Sequence, residues 1–334
     1  MYVHVVASNV CPTQGPIALN GRIELAFDRL LNPHCITRQT FLLKDKSGNE
    51  VGAQGGGLYG VDYDPVDRIV TIPNAQLTDG QPYELDINTP ASPTDQDGLR
   101  AIDGVTLDPR QPVGCMQTQS NKAALTFVAM ASAVPPGALP TVDFCKVILP
   151  IFMGRCLTGA CHGAGAPPAG RAEGLVLDTP ANVASTAVGL VAHEANTGAR
   201  AAARSADYRI FGVDMPILDP GSGPPSGGDP GNSWLIYKML MAVPAATSST
   251  QGTSSDGGAA TTPAFHAITA LPLSDSERFT LSNLVPGREM PFPALVGAEL
   301  SQNTLTLSVD ELERVSRWIA QPQNGTPLVP SACP

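Results

Sequence analysis

Cys156-Leu157-Thr158-Gly159-Ala160-Cys161-His162-Gly163 is the stretch that decides how the rest of the chain is understood. Two thiols followed directly by an imidazole form the attachment handle of a c-type haem, usually spaced C-x-x-C-H. Here four residues separate the thiols. Each thiol can still add across one porphyrin vinyl group, with the adjacent imidazole beneath the iron. Gly159 gives the longer backbone loop its slack. The same side chains admit two other chemistries, a Cys156–Cys161 disulfide or three ligands of a zinc site. No second cysteine or histidine pair stands at zinc-ribbon spacing, and His193 and His266 are isolated.

A chain of 334 residues with 43% hydrophobic content suffices for two folded cores. No run is long and apolar enough to cross a bilayer. Gly 33 and Pro 32 favour turns and short strands over long helices. A formal charge of −10 excludes the basic footprint of a nucleic-acid binder. Besides Cys156 and Cys161, five cysteines remain: Cys11, Cys35, Cys115, Cys145 and Cys333. That usage fits an oxidising compartment, with at most two disulfides among the five. The start, Met1-Tyr2-Val3-His4, has neither the basic nor the apolar region of a secretory leader. Covalent haem attachment outside the cytoplasm would require a leader that was removed or lies upstream.

The first 130 residues alternate in the manner of short strands between turns. Ile23, Leu25 and Phe27 fall on one face of 22–27, and 41–44, 68–72, 83–87 and 124–128 follow the same rule. Regular strands of this kind predict an all-β sandwich. The succession of Cys11-Pro12 to Gly15-Pro16, then 23–28, Leu31-Asn32-Pro33 to Ile36-Thr37, 77–85 and Leu125-Thr126-Phe127 resembles bacterial immunoglobulin-like domains. The pattern departs at Asp108–Lys122, an insertion carrying Cys115. Asp62, Asp64 and Asp67 lack the glycine turn and distal glutamate of a calcium loop and are expected in a solvated turn. Cys11, Cys35 and Cys115 are expected in loops or at strand ends, with Cys11–Cys35 the preferred staple.

After the proline-rich stretch 131–141 the period changes. Phe144, Ile148 and Ile151 share one helical face, and Pro150 is expected to end or kink that helix. Ser308-Val309-Asp310-Glu311 is a capping box, followed by Leu312, Val315 and Ile319 on one face beside Trp318. The ordered pieces 147–152, the attachment motif, 174–179, 228–240, 288–293 and 311–320 together resemble single-haem class I cytochrome c domains. That resemblance implies an all-α fold whose first and last helices pack beside the porphyrin. It also implies that Met290, before Pro291, is the axial sulfur ligand, with Met215 as runner-up. Cys145 and Cys333 near the ends of the helix pair can then bridge. Met153, Met239 and Met241 are expected to be packing residues, and His193 and His266 to lie at the surface. Segments 200–228 and 245–262 stand out as inserted loops, the second of low complexity.

The expected architecture is multidomain: an all-β immunoglobulin-like sandwich over 1–130, a linker over 131–141, and an all-α cytochrome c domain with long loops over 142–334. The expected function is extracytoplasmic electron transfer, without enzymatic activity. One covalent haem c would be held by Cys156, Cys161, His162 and Met290, with His162 and Met290 as iron ligands. The location would be the periplasm, the extracellular space or the cell surface. The partners would be redox proteins or a larger membrane-associated or extracellular complex, with no nucleic acid and no transmembrane segment in the chain. The alternatives are an adhesion or structural protein with a disulfide- or zinc-stabilised C-terminal module, and a haem enzyme with an open iron position.

Overall fold

The computed structural model describes residues 2–10, 15–90, 98–108, 116–119, 122–133, 140–157, 162–163, 174–193, 211–212, 214–221, 227–242, 273–285, 290, 307–323 and 327–334. The alternating segments form strands. Strands β1 (Val5–Ser8), β3 (Ile23–Phe27), β6 (Ile69–Ile72) and β5 (Asp62–Asp64) make one sheet in the order β1-β3-β6-β5. The second sheet runs β2 (Ile17–Ala18), β9 (Lys122–Met130), β7 (Pro82–Asn88), β4 (Phe41–Asp45), with β8 (Met116–Gln119) also on β9. All pairings are antiparallel except β2 with β9. The registers put Leu25 opposite Val70, and Leu43 opposite Leu85, which in turn faces Leu125. Apolar pairs of this kind are the unit of sheet stability.

The C-terminal half overturns the expected all-α domain. Among the described residues there are five α-helices, none longer than twelve residues: α1 (Leu149–Cys156), α2 (Pro180–Thr186), α3 (Trp234–Ala242), α4 (Asp275–Leu284) and α5 (Val309–Ala320). Extended segments between them make isolated bridges, Val188 with Leu218 and Val191 with Pro216. The architecture is mixed α and β. The cause lies in the glycines and prolines that keep each helix short, so that none buries a face without neighbours. All nine residues of α3 are buried, and its side chains join one continuous apolar core with those of both sheets. The chain remains helical through Pro150. A π-turn over Phe144–Ile148, capped by Asp143, leads straight into α1, and Pro150 falls in its first turn. The wider π-turn just before it accommodates the missing N–H donor and the bulk of the ring.

The seam between strands and helices is polar and buried. Tyr63 donates its backbone N–H to Asp229 Oδ1 at 3.1 Å, and its hydroxyl accepts from Leu31 N at 2.9 Å. Gly231 packs so closely that an added Cβ would lie 2.7 Å from the Tyr63 Cβ and carbonyl oxygen. Glu277 on α4 accepts from Leu30 N at 2.9 Å and from the Arg68 guanidinium at 3.1 Å. Asp62 and Asp64 stand on β5 and Asp67 in the turn that follows it, all three partly rather than fully exposed. Burial, the largest cause, raises the Asp64 carboxyl above its ordinary value and the Asp67 carboxyl well above it.

Burial, then the Asp219 charge, pushes the Asp62 carboxyl up to about 6 from 3.8. Between those values the folded state keeps a proton that the unfolded chain has released. Stability from Asp62 is therefore full below about pH 4 and is lost as pH rises through about 6. Asp62→Asn should raise the unfolding free energy by about 1–3 kcal/mol at pH 8 and change it little at pH 4. Urea titrations at the two pH values check this.

Candidate functional site

Four contacts tie α1 and the turn before it to α5 and the chain beyond, and Cys156 is the last residue of α1. Arg155 makes a bidentate pair with Glu311, Nε to Oε1 at 2.9 Å and Nη2 to Oε1 at 2.8 Å with Nε to Oε2 at 3.2 Å, while Ser308 and Glu311 complete the expected capping box of α5. Trp318 of α5 packs on Phe144 and Phe152 at centroid distances of 5.3 and 6.2 Å. Gln321 exchanges two hydrogen bonds with Val142. Cys145 and Cys333 form a disulfide across 188 residues. The α1 region and α5 are thus bolted together, and Cys156 is buried at the end of α1.

His162 is only 5% exposed. Its Nδ1 lies 3.0 Å from the Leu175 carbonyl oxygen, and its own carbonyl accepts from Leu177 N at 2.8 Å. A carbonyl can only accept, so Nδ1 carries the proton and Nε2 keeps its lone pair. Burial holds the imidazole pKa below its ordinary value, and the Leu175 bond partly offsets this. A neutral histidine fixed in one tautomer by a backbone carbonyl is the form a metal centre requires. Cys161 lies outside the described residues, as do Cys11, Cys115 and His266. Cys35 is buried in a short 3-10 turn, Pro33–Cys35, so the Cys11–Cys35 pairing falls outside the described residues with its partner.

Leu175 also borders a cavity of about 440 Å³, together with Ile217, Trp234, Leu235, Lys238 and Met290. The size falls within the range of small-molecule and cofactor pockets. Met290 donates its backbone N–H to the Lys238 carbonyl at 3.1 Å, which ties it to α3. Met215 faces a different cavity of about 240 Å³, beside Tyr63 and Asp229. The two candidate methionines are thereby separated: Met290 shares a cavity wall with the residue that orients His162, and Met215 does not. His193, expected as a bystander, is exposed but borders the larger cavity. Met239 and Met241 are buried packing residues on α3, whereas Met153 is half exposed on α1.

Two expectations are corrected here. Among the described residues no group of three or more His, Cys, Asp or Glu converges to hold a metal ion. The expected metal-binding group is therefore not found among the described residues, while Cys161 of the zinc alternative lies outside them. A cytochrome c domain is likewise not what surrounds His162, since the helices share their core with two sheets. Sequence reasoning missed Leu175 and Lys238. Leu175 acts through its carbonyl, which no side-chain pattern reports. Lys238 stands in an apolar helical run, Trp234–Ala242, where a lone charge is itself a signal.

No described helix is long and apolar enough to cross a membrane. No protein-family profile matches the chain. No curated protein matches it either. Among solved structures, the S-layer protein rSbsC and a fragment with domains 1–6 of SbsC each align at 10% identity. Each alignment covers 43% of this chain and 15% of theirs, with TM-scores of 0.24 and 0.25. The N-terminal part of the bacterial S-layer protein SbsC aligns at 11% identity over 43% of this chain and 26% of its own, with a TM-score of 0.25. This chain therefore spans about a quarter or less of those structures, and likeness at such scores carries no argument about fold or role.

Proposed function

We propose that the protein is an extracytoplasmic electron carrier with one covalently attached haem c, built on a mixed α and β scaffold. The observation that carries this is His162, buried, neutral and oriented through Nδ1 by the Leu175 carbonyl, one residue after Cys161. Cys156 and Cys161 would hold the group through thioether bonds. His162 Nε2 would be one donor to the iron. The Met290 thioether would be the other, since it lines the cavity that Leu175 also borders. Leu175, Trp234 and Leu235 would keep water from the group and so shield its charge change. When bound, haem c supplies a one-electron couple between ferric and ferrous iron. A group whose iron took both donors from the chain would be suited to transfer rather than catalysis. The net charge of −10 suits partners with basic surfaces.

Denaturing intact-mass measurement of the exported protein tests the reading. The expected mass is that of the polypeptide plus one haem, and Cys156→Ala/Cys161→Ala should lose the increment. A mass of polypeptide alone overturns the proposal and leaves a colourless adhesion or structural protein. Met290→Ala should lower the midpoint potential and let the reduced protein bind carbon monoxide, which the unaltered protein should not. Carbon monoxide binding by the unaltered protein would instead point to a haem enzyme with an open iron position.

A further inference from the structure

The backbone from Leu175 to Leu177 is held from two sides. On one side His162 meets its outer residues: Nδ1 lies 3.0 Å from the Leu175 carbonyl oxygen, and the His162 carbonyl accepts from Leu177 N at 2.8 Å. On the other side a single hydroxyl meets the middle residue. Thr186 Oγ1 accepts from Val176 N at 3.0 Å and lies 3.0 Å from the Val176 carbonyl oxygen. Successive residues thus bond in opposite directions, as they do between the two edges of a strand. Thr186 is the last residue of α2, and its hydroxyl also lies 2.8 Å from the Asn182 carbonyl one turn back, which sets its direction. Asn182 donates through Nδ2 to Asp178 Oδ1 at 2.6 Å, so α2 is moored to the same stretch of chain. Leu175, Val176 and Leu177 are all buried. A backbone group that loses its partner here stays unsatisfied or draws the segment towards water.

We infer that Thr186 is the positioning residue of His162: its hydroxyl holds Val176 and thereby keeps the Leu175 carbonyl on Nδ1 of the imidazole. As a statement about an iron donor this rests on the haem proposal, but the geometry stands without the group. Thr186 acts through the backbone of 175–177. A bonded Nδ1–H makes Nε2 the more basic donor, so the hydroxyl governs both the direction and the basicity of that nitrogen.

The test is nitrogen-15 NMR of the full chain, labelled in histidine, made without haem attachment and held at about pH 8, where a free imidazole is neutral. His162→Gln identifies the signal. In the unaltered chain His162 should carry its proton on Nδ1. Thr186→Val keeps the shape of the side chain and removes the hydroxyl, so the ratio of Nδ1–H to Nε2–H forms should fall at least about fivefold. Thr186→Ala should give the same fall if valine is not accommodated, and Thr186→Ser, which keeps the hydroxyl, should keep the ratio. A merely structural threonine would lower the urea midpoint of the valine and alanine variants and leave the ratio in the folded protein unchanged, which overturns the inference. An unaltered chain in which His162 divides its proton evenly between the two nitrogens overturns it as well, and so does a ratio lost in Thr186→Ser. None of these readings depends on haem, whose attachment the denaturing mass of the exported protein decides separately.

Discussion

Replacing Arg68 with methionine should lower the unfolding free energy by about 3–5 kcal/mol, the usual cost of removing one partner from a buried ion pair. Arg68 and Glu277 have side chains only 7% and 6% exposed and meet at 3.1 Å. The carboxylate also accepts from Leu30 N and from Ser274, so it cannot turn away towards solvent. Methionine fills the space of the arginine stem but leaves the Glu277 charge buried without its counter-ion. The backbone gives no separate penalty, since Arg68 already adopts a φ of +56° with a full side chain. Converting both residues to methionine should cost much less than the sum of the single changes. Denaturant unfolding of the two single variants and the double variant measures this, and strict additivity would refute it. Burial raises the Glu277 carboxyl, but Arg68 and the bonds from Leu30 and Ser274 outweigh it, leaving the pKa below its ordinary value. Its contribution is therefore present at neutral pH and disappears as pH falls through that lowered value. The Arg68 variant should lose this acid-side dependence.

Breaking the Cys145–Cys333 bridge should have an effect of similar size. The bond spans 188 residues. For a loop of that length the chain-entropy relation gives about 5 kcal/mol, and measured removals of native bridges from small domains fall at about 2–5 kcal/mol. Cys145→Ser/Cys333→Ser should unfold at correspondingly lower urea, with most of the change in the unfolded state. The variant should also loosen the junction at Cys156, because the bridge joins the turn before α1 to the chain end beyond α5. Greater hydrogen exchange over residues 144–156 would show this loosening. Unchanged exchange there would place the bridge's effect wholly in the unfolded chain.

The strands were legible because each carries its own evidence. Ile23, Leu25 and Phe27 alternate and all three join the main apolar core, although the intervening Glu24 and Ala26 are buried as well. Helix α5 was equally plain, with the Ser308 and Glu311 cap at one end and Leu312, Val315 and Ile319 buried along it. Helix α4 carries the same signal, since Ser274 and Glu277 form a second capping box. Thr179-Pro180, the cap and first residue of α2, is another start signal that went unread. What local pattern could not reveal is which element covers which. Nothing near Asp62, Asp64 or Asp67 says that Asp219, Asp229 and α5 will be their neighbours. Nothing near Glu277 names Leu30 or Arg68 as partners. The attachment motif could be found from spacing alone, whereas the carbonyl that orients His162 depends on a chain path visible only in three dimensions.

Because the seam joins residues 166, 209 and 247 positions apart, the order of synthesis matters. Ribosomes add about 5–20 residues per second, so Leu30 waits on the order of 10–50 s for Glu277 to be made. During that interval the early sheets have edges and an apolar flank with no permanent cover. A holding chaperone, or threading across a membrane before folding, would bridge the delay. The nascent amino-terminal half should accordingly be the aggregation-prone stage in the life of this protein.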